Sequence, residues 1–321
     1  MALLSGRHLP VALKPWLVEF LLRTYERAAV ILDHQVMVYD SLAGLSDITG
    51  ADSAVLVPHV LDPMPRDGLD PDETAILGGG MFSSATMAFG PDSHDLIGFL
   101  KARLRRECKV DIPKMRMLDQ RWFDFVPSLF PYRVARDRGI DVAYWNLHER
   151  PLTVRDGRTL AGGSPLRTFN FSGYDLARPA SLGASETRGS PRVVAADLPV
   201  LSDLCEQYGA ELRASGADRL GSDTFGFQTL PGGIPIEESL RRLYSDALEA
   251  AEERGRPAPP DPFDPAEASD FVGWARTAYA RQGLAVPAAL DGRPAQQPAP
   301  AAPRSMRSRI GRLVRARVPR G

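Results

Sequence analysis

Short apolar runs alternate with amphipathic helical patterns over roughly the first half of the chain, and this alternation restricts the fold more than any other feature. Strand-like runs occur at residues 28–36, 54–61, 81–90 and 141–147, and patterns with helical spacing lie among them. An Asp156-Gly157 pair between two strand-like arms predicts a β-hairpin. A chain with this order of elements is expected to form an α/β domain, in which helices flank a sheet.

A helix is predicted near the start of the chain, where Pro15 suits a first helical turn. The residues at helical spacing that predict its apolar face are Trp16, Leu17, Phe20, Leu21 and Tyr25. Another helix is predicted after residue 93, with Leu96, Phe99, Leu100 and Leu104 in one apolar stripe.

The pattern becomes purely helical from about residue 196, with three predicted helices at residues 198–216, 236–255 and 264–283. We therefore expect an α/β domain at 1–185 and a helical region at 186–290. Residues 291–321 read as a Pro/Ala-rich linker followed by a basic amphipathic tail. That tail suits either peripheral contact with an anionic membrane or a solvated end.

Charge and cysteine content exclude several classes of protein. The formal net charge is −1, which argues against a general nucleic-acid binder. The two cysteines, Cys108 and Cys205, form no CxxC pair, so neither a disulfide framework nor a structural zinc is expected, and both are predicted to lie in the core. No apolar stretch is long enough to span a bilayer and the first residues lack the order of a signal peptide, so the expected location is the cytoplasm.

The strand-like run at 28–36 contains the side chains that most suggest chemistry. Asp33 stands at its end and Gln35 follows two positions later, which would place both side chains on one side of an extended chain. Two acids in such a place can hold a divalent cation against a diphosphate, as sugar transfer from a nucleotide sugar requires. Because the Gln35 oxygen is neutral, affinity for Mn²⁺ or Mg²⁺ is expected to be reduced.

Seven segments taken in order resemble bacterial GT-A-type glycosyltransferases. They are HLPVALKPWLVEFLL, AAVILDHQVMVYDSL, LVPHVLDP, the glycine-rich run before MFSSATMAF, MLDQRWFDFVPSLF, DVAYWNLHERPL and PLRTFNFSGYD. The resemblance implies a GT-A-like, Rossmann-type mixed sheet flanked by helices, with a C-terminal helical region. It also implies a nucleotide-sugar donor, a glycan or lipid-linked acceptor of the cell envelope or of a polysaccharide, and no nucleic-acid partner.

The resemblance also implies roles for individual residues. Asp119 and Gln120 match the family's Asp-Gln motif and are the expected catalytic residues beside the transferred sugar. Trp122, Trp145 and Asn146 would shape the pocket, and core filling is the alternative for the two tryptophans. The expected donor-binding residues are Lys14, Asp33, Gln35, Ser83, Arg121, Arg167, Ser172 and Gly173.

The sequence departs from the family pattern around the expected metal. Gln35 replaces the second acid, and Asn170 stands where the family has a histidine ligand, so Asp33, Gln35 and Asn170 form a weakened metal shell. Ser83 and Ala85 replace an asparagine and a glycine that approach the donor sugar. The family's first βαβ segment is also missing ahead of the Lys14 helix, so either the natural start lies upstream or the protein is shortened.

Three interpretations follow. In the first, the protein is an active glycosyltransferase in which Lys14, Arg121 or Arg167 replaces part of the metal's charge. In the second, it is an inactive relative that binds a sugar, a nucleotide or a partner protein. In the third, it is an unrelated α/β protein. The first two require Asp33, Asp119 and Asn170 to surround one cleft, and they expect the His34 side chain to point away from it.

Overall fold

The computed structural model describes residues 6, 8–111, 116–179, 182, 190–220, 226–231 and 233–291, and the predicted linker and tail beyond residue 291 lie outside these ranges. The protein is a mixed α/β structure. Its Cα positions divide into two compact units. One is an α/β unit from Ala12 through residue 220, and the other is a helical unit of residues 226–291 with which the chain before Ala12 is grouped.

A four-stranded sheet forms the centre of the α/β unit, in the order β1 (Ala29–Leu32), β4 (Phe82–Phe89), β3 (Ala54–Pro58) and β7 (Tyr132–Val134). The pairs β1/β4 and β3/β4 are antiparallel, whereas β3 and β7 are parallel. The predicted mixed sheet with flanking helices is therefore confirmed at this level.

Helices cover both faces of this sheet. On one face, α1 (Leu9–Tyr25), α4 (His94–Glu107), a 3-10 segment (Gln120–Phe125) and α5 (Val126–Leu129) supply the residues of one apolar cluster. That cluster includes Val18, Leu22, Leu96, Leu100, Phe123 and Val126. On the other face, Leu45 of α2 (Ala43–Asp47) packs with residues of β3 and β4. The short helix α3 (Glu73–Gly79) begins after Asp72, whose carboxylate accepts from the Ala75 amide.

The apolar face predicted for α1 is wrong at Leu17, Phe20 and Tyr25, whereas Leu21 packs against the core cluster. The helix buries Ala12, Pro15, Val18 and Leu22, while Leu17, Phe20 and Tyr25 are exposed. Pro15 also lies inside the helix and not in its first turn. The cause is that α1 carries apolar residues on two sides, so helical spacing alone does not show which side meets the sheet.

Smaller sheets complete the α/β unit. β2 (Val36–Val38) pairs with β11 (Thr168–Asn170), and β5 (Val110–Asp111) pairs with β6 (Arg116–Met117). β8 (Leu152–Arg155) and β9 (Arg158–Ala161) form the predicted hairpin, whose turn residues Asp156 and Gly157 have φ values of 51° and 72°. β10 (Ser164–Pro165) pairs with β9.

Two predictions about strands in this unit are wrong. The run at 28–36 is not one strand, because β1 ends at Leu32 and β2 belongs to a different sheet. The run DVAYWNL forms turns, with the Asn146 side chain accepting from the Ala143 amide and donating to the Asp141 and His59 carbonyls. Side-chain hydrogen bonds of this kind compete with strand pairing.

The predicted helices of the C-terminal half are present. The first, α6 (Pro199–Ala214), packs its Leu201, Leu204 and Cys205 with Phe169 and Phe171 and so belongs to the α/β unit, as does α7 (Ala217–Leu220). In the helical unit, α8 (Glu238–Arg254) and α9 (Ala268–Arg281) share a core that includes Leu240, Tyr244, Phe271 and Tyr279. Both cysteines are buried, as predicted. None of the described helices is both long enough and apolar enough to cross a bilayer.

Candidate functional site

The Lys14 ammonium group joins two carboxylates that come from distant parts of the chain. Its Nζ atom lies 3.1 Å from Asp119 Oδ2 and 3.3 Å from Asp33 Oδ2. It also donates to the Ser84 carbonyl oxygen at 3.0 Å. An ammonium group has three protons, so these three acceptors satisfy it. The Lys14 ammonium thereby connects α1 with the residue after β1, the centre of β4 and the residue before the 3-10 segment.

The two carboxylates differ in how far they are open to solvent. Asp119 is buried, and its second oxygen, Oδ1, accepts from the Ser84 hydroxyl at 2.8 Å. The Asp33 side chain is 20% exposed, and Lys14 is 13% exposed. Of the two carboxylates, Asp33 is therefore the one more open to solvent.

Both the lysine and Asp33 have shifted pKa values. Burial alone would lower the pKa of Lys14, but the charges of Asp119 and Asp33 outweigh burial and raise it. Burial alone would raise the pKa of Asp33, whereas the hydrogen bond from His34 and the charge of Lys14 bring it well below its usual range. The lysine is therefore cationic and Asp33 anionic at neutral pH.

The chain turns between Asp33 and Gln35. The Asp33 amide donates to the Ala85 carbonyl at 2.8 Å, and the Val36 amide donates to the Asp33 carbonyl at 3.0 Å. The Gln35 carbonyl accepts from the Phe171 amide of the next sheet. The expectation that Asp33 and Gln35 project from one side of an extended chain is thus wrong, because a turn separates them.

The expectation that His34 points away from the site is also wrong. Its Nδ1 lies 2.5 Å from Asp33 Oδ1, and its backbone amide donates to the same oxygen at 2.7 Å. The hydrogen bond to Asp33 raises the pKa of His34 above its ordinary value. The ring itself is exposed, so His34 covers the outer side of the Asp33 carboxylate.

Asn170 takes part in a second, separate polar group. Its amide nitrogen donates to Asp141 Oδ1 at 3.2 Å, and its side-chain oxygen accepts from the Ser172 amide at 3.0 Å. Thr86, next to Ala85 on β4, directs its hydroxyl at the same Asp141 oxygen from 3.4 Å. Asp141 is fully buried, and its Oδ2 has no hydrogen-bond partner among the described residues.

The residues expected to hold a metal do not fit a divalent ion. The Lys14 ammonium lies between the two carboxylates, where a cation ligated by both would have to be. Both ends of the Asn170 amide are bonded within the protein. Within the part of the chain that the structure describes, no group of three or more His, Cys, Asp and Glu side chains is placed to hold a metal.

Gln120 and Arg121 follow Asp119 in the chain and lie near the end of α3. Gln120 Nε2 donates to the Gly79 carbonyl at 2.8 Å. Arg121 donates to the Leu77 carbonyl and forms an ion pair with Asp124 at 3.3 Å. Gly80, with a φ of 120°, lies against Gln120, where an added Cβ would be 3.2 Å from the glutamine Cγ. Both side chains therefore hold the α3–β4 connection beside Asp119.

The other expected donor-binding residues are dispersed. Ser83 is buried and its hydroxyl accepts from the Ala85 amide at 3.1 Å. Arg167 is paired with Asp137 at 2.6 Å and donates to the Ser41 carbonyl. Ser172 and Gly173 follow β11, beside Asn170. Trp122 packs against Phe99 with the core cluster, consistent with its core-filling alternative.

The structure thus brings together Lys14, Asp33 and Asp119, and it places Asn170 with Asp141. Sequence reasoning missed Ser84, Thr86 and Asp141. The polar residues Ser83, Ser84 and Thr86 of β4 carried a usable signal, since polar residues in a central strand need partners. Asp141 has a φ of 52°, which its sequence context did not indicate.

No family model matches the chain. An uncharacterized protein, YfnF of Bacillus subtilis (strain 168), is 27% identical over 132 residues, which is 40% of this chain and 42% of that protein. The matched region is thus less than half of the relative's length, and the relative's name assigns no activity.

Proposed function

We propose that the protein is a GT-A-type glycosyltransferase, in which the Lys14 ammonium supplies the fixed positive charge that a divalent metal would otherwise provide. The donor is a nucleoside-diphosphate sugar, and the acceptor is a glycan or a lipid-linked glycan of the cell envelope or of a polysaccharide. The observation that carries the proposal is the position of Lys14 Nζ between Asp33 and Asp119. The mixed α/β sheet and the order of the motifs support it.

The chemistry needs a cation where negative charge builds up. As the acceptor oxygen bonds to the anomeric carbon, the bond from that carbon to the diphosphate oxygen breaks, and the nucleoside diphosphate leaves with the electron pair. The acceptor proton is released to solvent. A cation held in place before the reaction stabilises the leaving group without having to reorganise. The raised pKa of Lys14 keeps the ammonium charged throughout.

The remaining groups have distinct roles in this proposal. Asp33 is the exposed carboxylate, and its lowered pKa suits a hydrogen-bond acceptor for sugar or ribose hydroxyls better than a base. Asp119 is a positioning residue, because its two oxygens are bonded to Lys14 and Ser84. Gln120 contacts the α3–β4 connection and forms the edge of the proposed sugar-binding site. A cytoplasmic location is part of the same proposal.

Charge also favours a second candidate, a protein that binds a sugar without transferring it. The Lys14 ammonium is bonded to three protein acceptors, and Arg121 and Arg167 are likewise bonded within the protein. A diphosphate is then bound less well than a neutral glycan, whose hydroxyls can donate to Asp33. Transfer and simple binding differ in whether the donor is consumed.

Release of nucleoside diphosphate from a panel of nucleotide sugars tests the proposal, with EDTA or Mn²⁺ present. Glycosyltransferase activity predicts release that persists in EDTA. It also predicts that Lys14→Met abolishes release while Lys14→Arg retains part of it. Release that stops on chelation contradicts the role of Lys14, and saturable glycan binding without release from any donor supports the second candidate.

A further inference from the structure

The outer surface of the helices on the α1 side of the central sheet exposes large apolar side chains in two groups. Leu13, Leu17 and Phe20 of α1 form one group, and Phe125 and Leu129 at the 3-10 segment and α5 form the other, with exposures between 43% and 61%. We call this surface, together with residues 101–106 of α4 between the two groups, the outer helical face. Exposed apolar patches on a monomer usually mark an interaction surface.

Contacts across α4 make the outer helical face continuous. On the α1 side, Lys101 Nζ lies 5.6 Å from the centre of the Trp16 ring and bonds to Glu19 at 2.8 Å. On the other side, the Arg103 guanidinium lies 5.7 Å from the centre of the Trp122 ring. Phe125 in turn stacks on Trp122, with ring centres 5.9 Å apart.

The middle of this face is basic. Residues 101–106 have the sequence KARLRR, which contains four basic residues, and Glu107 follows them at the end of α4. The acidic residue on the adjoining side of α1, Glu19, is paired with Lys101 and with Arg23. The face therefore combines exposed apolar groups at both sides with a positive strip between them.

We propose that the outer helical face binds the surface of an anionic lipid bilayer. Leu17, Phe20, Phe125 and Leu129 enter the boundary between headgroups and acyl chains, and the α4 cations contact lipid phosphates. Apolar insertion combined with electrostatic attraction is how amphipathic surfaces bind membranes from one side. The inference is independent of the proposed function, since none of these side chains takes part in the Lys14 group.

The same face suits other occupants less well. Nucleic acid would pair its phosphates with the positive strip, but it would leave the exposed apolar side chains on both sides of the strip without a partner. A second copy of the chain, related by a twofold axis, would bring the KARLRR strip against itself, and like charges would repel. A lipid surface satisfies both the apolar groups and the positive strip.

A fluorophore on a single introduced cysteine tests the contact in the full chain. Cys108 and Cys205 are fully buried, so an environment-sensitive label attaches at Leu17→Cys alone. With vesicles of equal phosphatidylcholine and phosphatidylglycerol, we expect its emission to rise and shift to shorter wavelength. The matched control is Val154→Cys on the β8–β9 hairpin, an exposed apolar position whose label should not respond.

Charge and insertion are then tested separately. Arg103→Gln should weaken the response to the mixed vesicles roughly fivefold, the effect expected for one basic residue near an anionic surface. Phe20→Glu should abolish the response of the label, and Val154→Glu should not change it. Phe20 and Val154 are exposed, so the circular dichroism melting curves should match that of the parent.

Several results would overturn the proposal. If the protein sediments with vesicles while the label at position 17 stays unchanged, another part of the chain holds the membrane. If the label responds equally to vesicles of phosphatidylcholine alone, the basic strip does not contribute to membrane binding. If the protein self-associates without lipid and Phe20→Glu abolishes that association, the face binds a second copy of the chain. If the protein binds RNA and Arg103→Gln abolishes that binding, the face binds nucleic acid.

Discussion

Lys14 Nζ and Asp119 Oδ2 lie 3.1 Å apart, although 105 positions separate the two residues in the chain. The pair is largely shielded from solvent, with side-chain exposures of 13% and 3%. A buried ion pair adds little net stability compared with an apolar pair, but removing one partner leaves an unpaired charge in a medium of low polarity. This asymmetry makes the role of the pair measurable.

Lys14→Met should therefore destabilise the protein by about 3–5 kcal/mol, measured as the free energy of unfolding in urea. Asp119 and Asp33 would both lose the cation that they share. The double variant Lys14→Met/Asp119→Leu should recover part of the loss, because only the more exposed carboxylate remains. An unchanged urea midpoint for Lys14→Met would show that the ion pair is not formed in solution.

His34 should titrate above the ordinary histidine pKa of about 6.5, because Asp33 stabilises the protonated ring. The histidine ring signals measured by NMR against pH identify this residue by comparison with His34→Gln. In Asp33→Asn, the pKa of His34 should fall back towards its ordinary value. A His34 signal that does not respond to Asp33→Asn would contradict the 2.5 Å contact.

Asp33 should make stability fall in acid. Its folded-state pKa lies below the unfolded value of about 3.9, so the unfolded state binds the proton first. The stabilising contribution is complete above that unfolded value, and it is lost as pH falls from there through the folded-state pKa. Urea unfolding from neutral to acid pH should thus show a steeper loss for the parent than for Asp33→Asn. Parallel curves for the two proteins would be inconsistent with a lowered pKa.

Asn170→Ala should cost about 1–3 kcal/mol, because it removes the donor to Asp141 and leaves the Ser172 amide without its acceptor. Thr153→Ala, on the exposed hairpin strand β8, is the control and should have little effect. Unfolding in urea measures both. If Asn170→Ala were no less stable than the control, the Asp141–Asn170 bond would carry no stability.

Much of the fold was predictable because its signals are local. The Asp156-Gly157 turn, the α4 stripe and the helices α8 and α9 all follow from spacing within a single element. The break after Leu32 was not predictable, because the chain leaves one sheet to pair with β11, whose sequence lies more than a hundred residues away. A long-range pairing of this kind overrides the local strand pattern.

The bonds of the candidate site were not predictable from the sequence. Asp33 was singled out by its place at the end of a strand-like run, and Lys14 and Asp119 by the family resemblance, yet nothing local shows that the lysine lies between the two acids. For α1, both sides of the helix are apolar, so the buried side depends on which one meets the sheet. The exposed side that results includes Leu17 and Phe20, which the helical pattern had assigned to the core.

Lys14→Ala should convert the site into one that binds a divalent metal. In the parent, the ammonium lies between Asp33 and Asp119, so Mn²⁺ has no free position between their oxygens. Without it, two carboxylates face the same space, and oxygen ligands with two negative charges attract a hard cation. Mn²⁺ should then raise the melting temperature of Lys14→Ala but leave that of the parent unchanged. The double variant Lys14→Ala/Asp33→Asn is the control and should respond much less, because one of the two charges is gone. If Mn²⁺ stabilised the parent as strongly as Lys14→Ala, the ammonium would not occupy the position of the metal, and the explanation of transfer without metal would fail with it.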